Sequence, residues 1–161
     1  MKILLALLTG VSLVSCATGP FYPQGPPDLS RSALFLPQNK TEGTIFRQTN
    51  FLLGEIDGMN QGKTVRFPNG ENGIAVTPGD HRIGVGMVHG EPGTGLVTAE
   101  GTIPMKVQAG KIYEVMGLIV GPQKLDFWIR ERSTRKQASQ TISVAAKDHG
   151  LPMPMIIVPA S

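Results

Sequence analysis

The rarest reactive side chains in this sequence are a single cysteine, Cys16, and three histidines, of which His81 and His89 lie close together. A thiol with no second cysteine cannot close a disulfide within the chain, so Cys16 is either a reactive group or a site of covalent modification. His81 and His89, flanked by Asp80 and Glu91, are donors of the kind that hold a divalent cation. They stand eight positions apart, an even separation. On one unbroken strand the two rings would share a face about 26 Å apart, and only a bend at Gly84 or Gly86 would bring them to one ion. They are weak metal candidates, and His81 is expected instead to be a hydrogen-bonded residue at the start of a strand.

Two further stretches have the spacing of catalytic loops without their context. Gly58-Met59-Asn60-Gln61-Gly62-Lys63-Thr64 ends like a phosphate-binding loop, but Asp57 stands where the first glycine is required. Val65-Arg66-Phe67-Pro68 follows, in place of the helix whose N-terminus would bind the anion. A hairpin turn is expected there. Ser133-Thr134-Arg135-Lys136 spaces a serine and a lysine as an acyl-transfer site does, where one helical turn brings the amine to the hydroxyl, yet no helical periodicity surrounds them. With the remaining carboxylates dispersed among turns, no catalytic residue is assigned and the chain is read as a non-enzyme. The one surface that looks built for contact is Asp126, Trp128 and Arg130, which alternate with apolar residues and set the only tryptophan among charges. Tryptophan and arginine are favoured interface anchors, so this is the candidate partner surface.

The neighbours of Cys16 decide its chemistry. Met1-Lys2 is followed by an apolar run from Ile3 to Val14, then Ser15 and Cys16, which is the order of a cleaved signal peptide. Twelve residues of helix rise about 18 Å, short of the roughly 30 Å of bilayer hydrocarbon, so the run is not a spanning anchor. Leu13-Val14-Ser15-Cys16 resembles the lipobox of bacterial lipoproteins. The resemblance implies cleavage between Ser15 and Cys16, a diacylglyceryl group on the sulfur, and an acyl chain on the new amino group. No other cofactor is expected. Two or three such chains make attachment effectively permanent, since each buried methylene contributes about 0.8 kcal/mol. Ala17 follows the cysteine where retention in the inner membrane usually has aspartate, which implies the inner leaflet of an outer membrane, facing the periplasm; another cell-membrane location is the alternative.

Removing residues 1 to 15 of the 161 leaves 146, enough for one domain with a real core. The formal charge of +3 is spread along the chain except from Arg130 to Lys136, too little for a nucleic-acid footprint. From Ala17 to Pro27 the sequence ATGPFYPQGPP has no apolar periodicity and reads as an extended tether. Past about Thr41 the apolar period is two. Ile103, Met105 and Val107 alternate with polar or turn residues, as do Leu125, Phe127 and Ile129, and Ile142 and Val144. Glycine-bearing turns at Asp57-Gly58, Pro68-Asn69-Gly70, Pro78-Gly79-Asp80 and Ala109-Gly110-Lys111 separate the runs. Ile112 to Val120 is the most apolar stretch and is expected to be a central strand, hairpinned to Leu125 to Glu131.

The fold class expected is all-β, a single antiparallel β-sandwich. The organisation expected is a signal peptide at 1–15, the lipidated cysteine and tether at 16–40, the sandwich at 41–146, and a C-terminal segment at 147–161 with room for an edge strand. Glu55-Ile56-Asp57-Gly58, then Val76-Thr77-Pro78-Gly79-Asp80-His81, then Val107-Gln108-Ala109-Gly110-Lys111-Ile112-Tyr113, resemble the strand ends and turns of PEGA-type and related small β-sandwich domains of envelope lipoproteins. That resemblance implies a non-enzymatic accessory module; the chain departs from the pattern in the glycine-rich stretch from Gly84 to Gly101. The function expected is therefore a membrane-anchored binding or structural accessory with an envelope protein partner. A metal or small-ligand carrier using His81 and the Gly84 to Gly101 region is the first alternative, and an envelope hydrolase the second.

Overall fold

The computed structural model describes residues 28–40, 48–60, 64–66, 72–91, 95–121 and 123–150. They form eleven strands with no helix among them: β1 (Ala33–Phe35), β2 (Gln38–Lys40), β3 (Gln48–Ile56), β4 (Val65–Arg66), β5 (Asn72–Val76), β6 (Gly79–Glu91), β7 (Gly95–Val107), β8 (Ile112–Gly121), β9 (Lys124–Glu131), β10 (Ile142–Ala145) and β11 (Lys147–Asp148). Two sheets result, in the orders β10-β9-β8-β1-β5-β4 and β11-β7-β6-β3-β2. The domain is an all-β sandwich, as the period-two alternation requires. All pairings are antiparallel except one, β1 beside β8, where Leu34 lies opposite Ile112 and Phe35 opposite Tyr113.

The alternating runs bury the residues they were expected to bury. Ile103, Met105 and Val107 on β7 and Leu125, Phe127 and Ile129 on β9 are core, while Ile142 and Val144 pack against it from β10. The two sheets meet across Phe51 of β3 and Phe127 of β9, whose rings are 6.2 Å apart and edge to face at 88°. Such aromatic geometry adds to the gain from burial itself. Gly117 of β8 lies beneath Phe51, where a Cβ would overlap the ring.

The glycine-rich stretch from Gly84 to Gly101 belongs to the longest strand pair among the described residues. β6 and β7 pair without a break from Gly79 opposite Val107 to Glu91 opposite Gly95. One of its glycines is demanded by the next strand. β3 bulges between Leu53 and Ile56, and a Cβ on Gly84 would come within 2.7 Å of the Glu55 nitrogen and 2.8 Å of its oxygen. Backbone cannot yield as a flexible side chain does. Gly84→Ala is expected to cost about 1–3 kcal/mol. Gly86→Ala, whose Cβ would meet only ordinary contacts at 3.6 Å or more, is expected to stay within about 0.5 kcal/mol. Paired urea midpoints check the contrast.

Three expectations change. The tether does not run to residue 40: Ala33, Leu34 and Phe35 are fully buried, and β1 occupies a central place in its sheet. The folded part includes Asp28, whose carboxylate accepts from the Ser30 N–H at 3.0 Å and whose carbonyl accepts from the Ser32 hydroxyl at 2.9 Å. A three-residue strand buried on both faces shows no alternation, so periodicity does not find it. The sandwich also extends past residue 146, because β11 adds Lys147 and Asp148 to the edge of the second sheet beside β7. The part of the expected edge strand after Gly150 lies outside the described residues. Lastly, β8 is interior to its sheet, but only its first half is core; Leu118, Ile119 and Val120 are exposed.

Candidate functional site

The turn at Ile56-Asp57-Gly58-Met59 carries positive φ at both central residues, 54° and 74°, and Ile56 and Met59 pair across it. This is the hairpin-type turn that Asp-Gly favours, and it occupies the start of the phosphate-loop look-alike, whose residues 61–63 lie outside the described set. The turn aims Asp57 at β6. Its Oδ1 accepts the Arg82 N–H at 2.7 Å, and its Oδ2 lies 2.7 Å from His81 Nδ1. The other ring nitrogen, Nε2, is 2.8 Å from the Thr77 carbonyl oxygen. Both neighbours are acceptor oxygens, so the ring is engaged at each of its nitrogens. Burial works against ionisation of Asp57, but the Arg82 N–H, the His81 ring and the Arg82 charge outweigh it and hold the carboxyl below its usual value.

An aspartate oriented on a histidine supplies two of the three members of a catalytic triad, and among the described residues the ring's other nitrogen meets a carbonyl oxygen in place of a nucleophile. A general base needs a free ring nitrogen toward a substrate, whereas His81 Nε2 is spent on a backbone carbonyl of the preceding turn. His81 is thus a hydrogen-bonded residue at a strand start, as its position in the sequence implied. His89 lies eight residues further along the same unbroken strand, with Nδ1 2.8 Å from Thr49 Oγ1. The structure therefore does not bring the two rings together. Among the described residues no group of three or more His, Cys, Asp or Glu side chains is placed to hold a metal ion.

The Ser133 to Lys136 stretch is a turn after β9, organised by Glu131. The Glu131 carboxylate accepts from the Ser133 hydroxyl at 2.7 Å, from the Thr134 hydroxyl at 3.1 Å and from Lys111 Nζ at 2.9 Å. The Ser133 and Lys111 contacts hold Glu131 below the usual carboxylate range. Ser133 therefore serves a carboxylate and has no bond to Lys136 that would activate it.

Asp126, Trp128 and Arg130 share the outer face of the first sheet, opposite Leu125, Phe127 and Ile129. Each is half-buried and engaged within the sheet. Asp126 accepts from the Ser143 hydroxyl at 2.5 Å, and Arg130 binds Glu114 Oε1 through Nε at 2.8 Å and Nη2 at 2.7 Å. Trp128 lies across from Met116, with Leu118 the next outward residue on β8. Sequence reasoning missed this apolar continuation, because Leu118 to Val120 read as core. It also missed the Asp57 to His81 contact, which joins residues 24 apart and leaves no local signal.

Cys16 and Ser15, with every residue before Asp28, lie outside the described residues. In comparisons with known proteins, no family model, no curated protein and no solved structure matches the chain.

Proposed function

We propose that this chain is a bacterial lipoprotein, held to a membrane by lipid on Cys16, whose β-sandwich is a non-enzymatic binding or structural accessory facing the periplasm from the outer membrane. The observation that carries the reading is the sequence Leu13-Val14-Ser15-Cys16, which ends a signal-peptide pattern on the only cysteine of the chain. One structural fact supports the non-enzymatic part, and another the binding part. Among the described residues, the Asp57 and His81 pair and the Ser133 turn, two sets with catalytic composition, are engaged in hydrogen bonds within the fold. The outer face carrying Trp128 is the surface best composed for a protein partner, with an aromatic beside Met116 and rimmed by Asp126 and Arg130. The likeness to PEGA-type domains rests on its three turn sequences.

Cys16→Ser tests the anchor. The variant is expected to incorporate no radioactive fatty acid and to persist as uncleaved precursor; a normally processed, lipid-labelled product would sink the proposal. Trp128→Ala tests the surface. It should leave the unfolding midpoint nearly unchanged and reduce recovery of envelope partners after crosslinking in intact cells, whereas loss of folding would assign Trp128 to stability alone.

A further inference from the structure

Among the described residues, the far end of the β8–β9 hairpin carries apolar side chains that are not packed into the core. Leu118, Ile119 and Val120 are 57, 49 and 44 % exposed, three consecutive apolar side chains where a soluble hairpin normally carries polar ones. Alternation sends Leu118 to the outer face, continuing the line of Met116, and Ile119 to the opposite face, while Val120 stands in the register shift between Ile119 and Gly121. The β8 arm of the hairpin end is therefore apolar on both faces, with Asp126 opposite Leu118 and Lys124 opposite Gly121 on the β9 arm. An exposed apolar cluster of this kind marks a contact with another surface.

The size of the cluster argues against a second copy of the chain. Three half-exposed side chains fall far short of the roughly 800 Å² that each partner gives to a stable protein interface. A bilayer needs no complementary shape, and a few apolar side chains are enough to seat a protein at the boundary between head groups and acyl chains when another anchor already holds it there. The charges around the hairpin end do not select anionic lipid: Lys124 and Lys147 are exposed, but Asp126 and Asp148 lie beside them.

The length of the N-terminal connection is the second argument. Asp28 sits at the opposite end of the domain, since the Asp28 carbonyl accepts from the Ser32 N–H and the Ser32 carbonyl from the Gly110 N–H, just before β8 begins. From there to Val120 β8 advances about 26 Å, at roughly 3.3 Å per residue. The twelve residue steps from Cys16 to Asp28, with Pro20, Pro23, Pro26 and Pro27 among them, reach about 37 Å when extended. The connection is thus longer than the domain side it must pass. A domain tethered at one end can lie back and touch the same bilayer with the other.

We infer that the Leu118-Ile119-Val120 hairpin end is a second membrane contact, inserted shallowly into the bilayer that holds the lipid on Cys16. This inference rests on the lipidation proposed above. It predicts an inverted domain, with the β8–β9 turn at the lipid and the Gln108 to Lys111 turn in water.

The test uses the full lipidated protein reconstituted in phosphatidylethanolamine and phosphatidylglycerol vesicles, with acylation of Cys16 verified by mass on the same sample. Because acylation blocks the native thiol, Gln123→Cys places one environment-sensitive fluorophore at the hairpin end, and Gln108→Cys places one at the opposite end. The expected result is blue-shifted emission quenched by brominated lipid at Gln123 and aqueous emission at Gln108. Adding Leu118→Ser, Ile119→Thr and Val120→Thr should return the Gln123 label to aqueous emission without changing the circular dichroism spectrum. An aqueous Gln123 label on acylated protein overturns the inference while leaving the anchor intact. A quenched Gln108 label, or a blue shift at Gln123 that scales with protein density or appears without vesicles, overturns it in favour of an upright domain, a second copy or self-cover. Absence of acyl mass on Cys16 overturns both proposals.

Discussion

Phe127→Ala is expected to destabilise the sandwich by about 3–5 kcal/mol, a large part of the stability of an ordinary domain of this size. Phe127 is fully buried on β9 and meets Phe51 edge to face, so its ring is a direct link between the sheets. Its removal leaves a cavity that the neighbours are poorly placed to fill. Phe51 is seated over Gly117, the residue paired with Phe127, and Ile129 and Leu125 are fixed by the register of β9 with β8 and β10. Phe127→Leu keeps most of the volume and should cost about 1–1.5 kcal/mol. Urea unfolding followed by the fluorescence of Trp128, next in sequence, measures both. A cost below about 1 kcal/mol for the alanine variant would show that the sheets are not joined through this ring.

How much of this was legible in the sequence depends on strand length and on which faces are buried. β7 and β9 were legible because each is long and wet on one side, so Ile103-Met105-Val107 and Leu125-Phe127-Ile129 print the alternation directly. β6 was half legible. His81, Ile83, Val85 and Met87 alternate inward, but the outward Gly84 and Gly86 have the composition of a loop, and the bulge that demands Gly84 belongs to a different strand. β1 was illegible, since Ala33, Leu34 and Phe35 are all buried and three residues carry no period. The end of β8 was misread for the converse reason: hydropathy states what a side chain prefers, and Leu118 to Val120 are apolar where the core has already ended. The turn chemistry was legible as turns and not as a network. Asp57-Gly58, Pro78-Gly79-Asp80-His81 and the turn before Tyr113 each read as local punctuation. Folding ties the first to the second through the histidine, and closes the third by the Gln108 N–H donated to the Tyr113 hydroxyl at 3.2 Å.

That network sets the second large effect, expected for Asp57→Ala. The substitution strands the buried His81 ring and the Arg82 N–H, which costs about 2–3 kcal/mol. It also places alanine at φ 54°, a left-handed conformation that costs an ordinary residue about 1 kcal/mol. Asp57→Asn tolerates that φ and retains an oxygen for the Arg82 N–H, so it should lose roughly half as much. His81→Ala combined with Asp57→Ala should show a coupling of at least about 1 kcal/mol, since either change alone removes the same contact. The pH dependence fixes the sign. The folded-state value of Asp57 is depressed below its usual 3.8, so its contribution is fully present above the unfolded value and is lost as pH falls through the folded one. Asp28, held low by Ser30, and Glu131, held low by Ser133 and Lys111, share that sign. Stability of the native protein should therefore decline below about pH 4, and Asp57→Ala should decline less steeply over the same range while starting lower. Equal acid slopes in the two proteins would mean that Asp57 is ionised with no benefit from its neighbours. The Asp57 to His81 contact would then be a consequence of the turn rather than one of its causes.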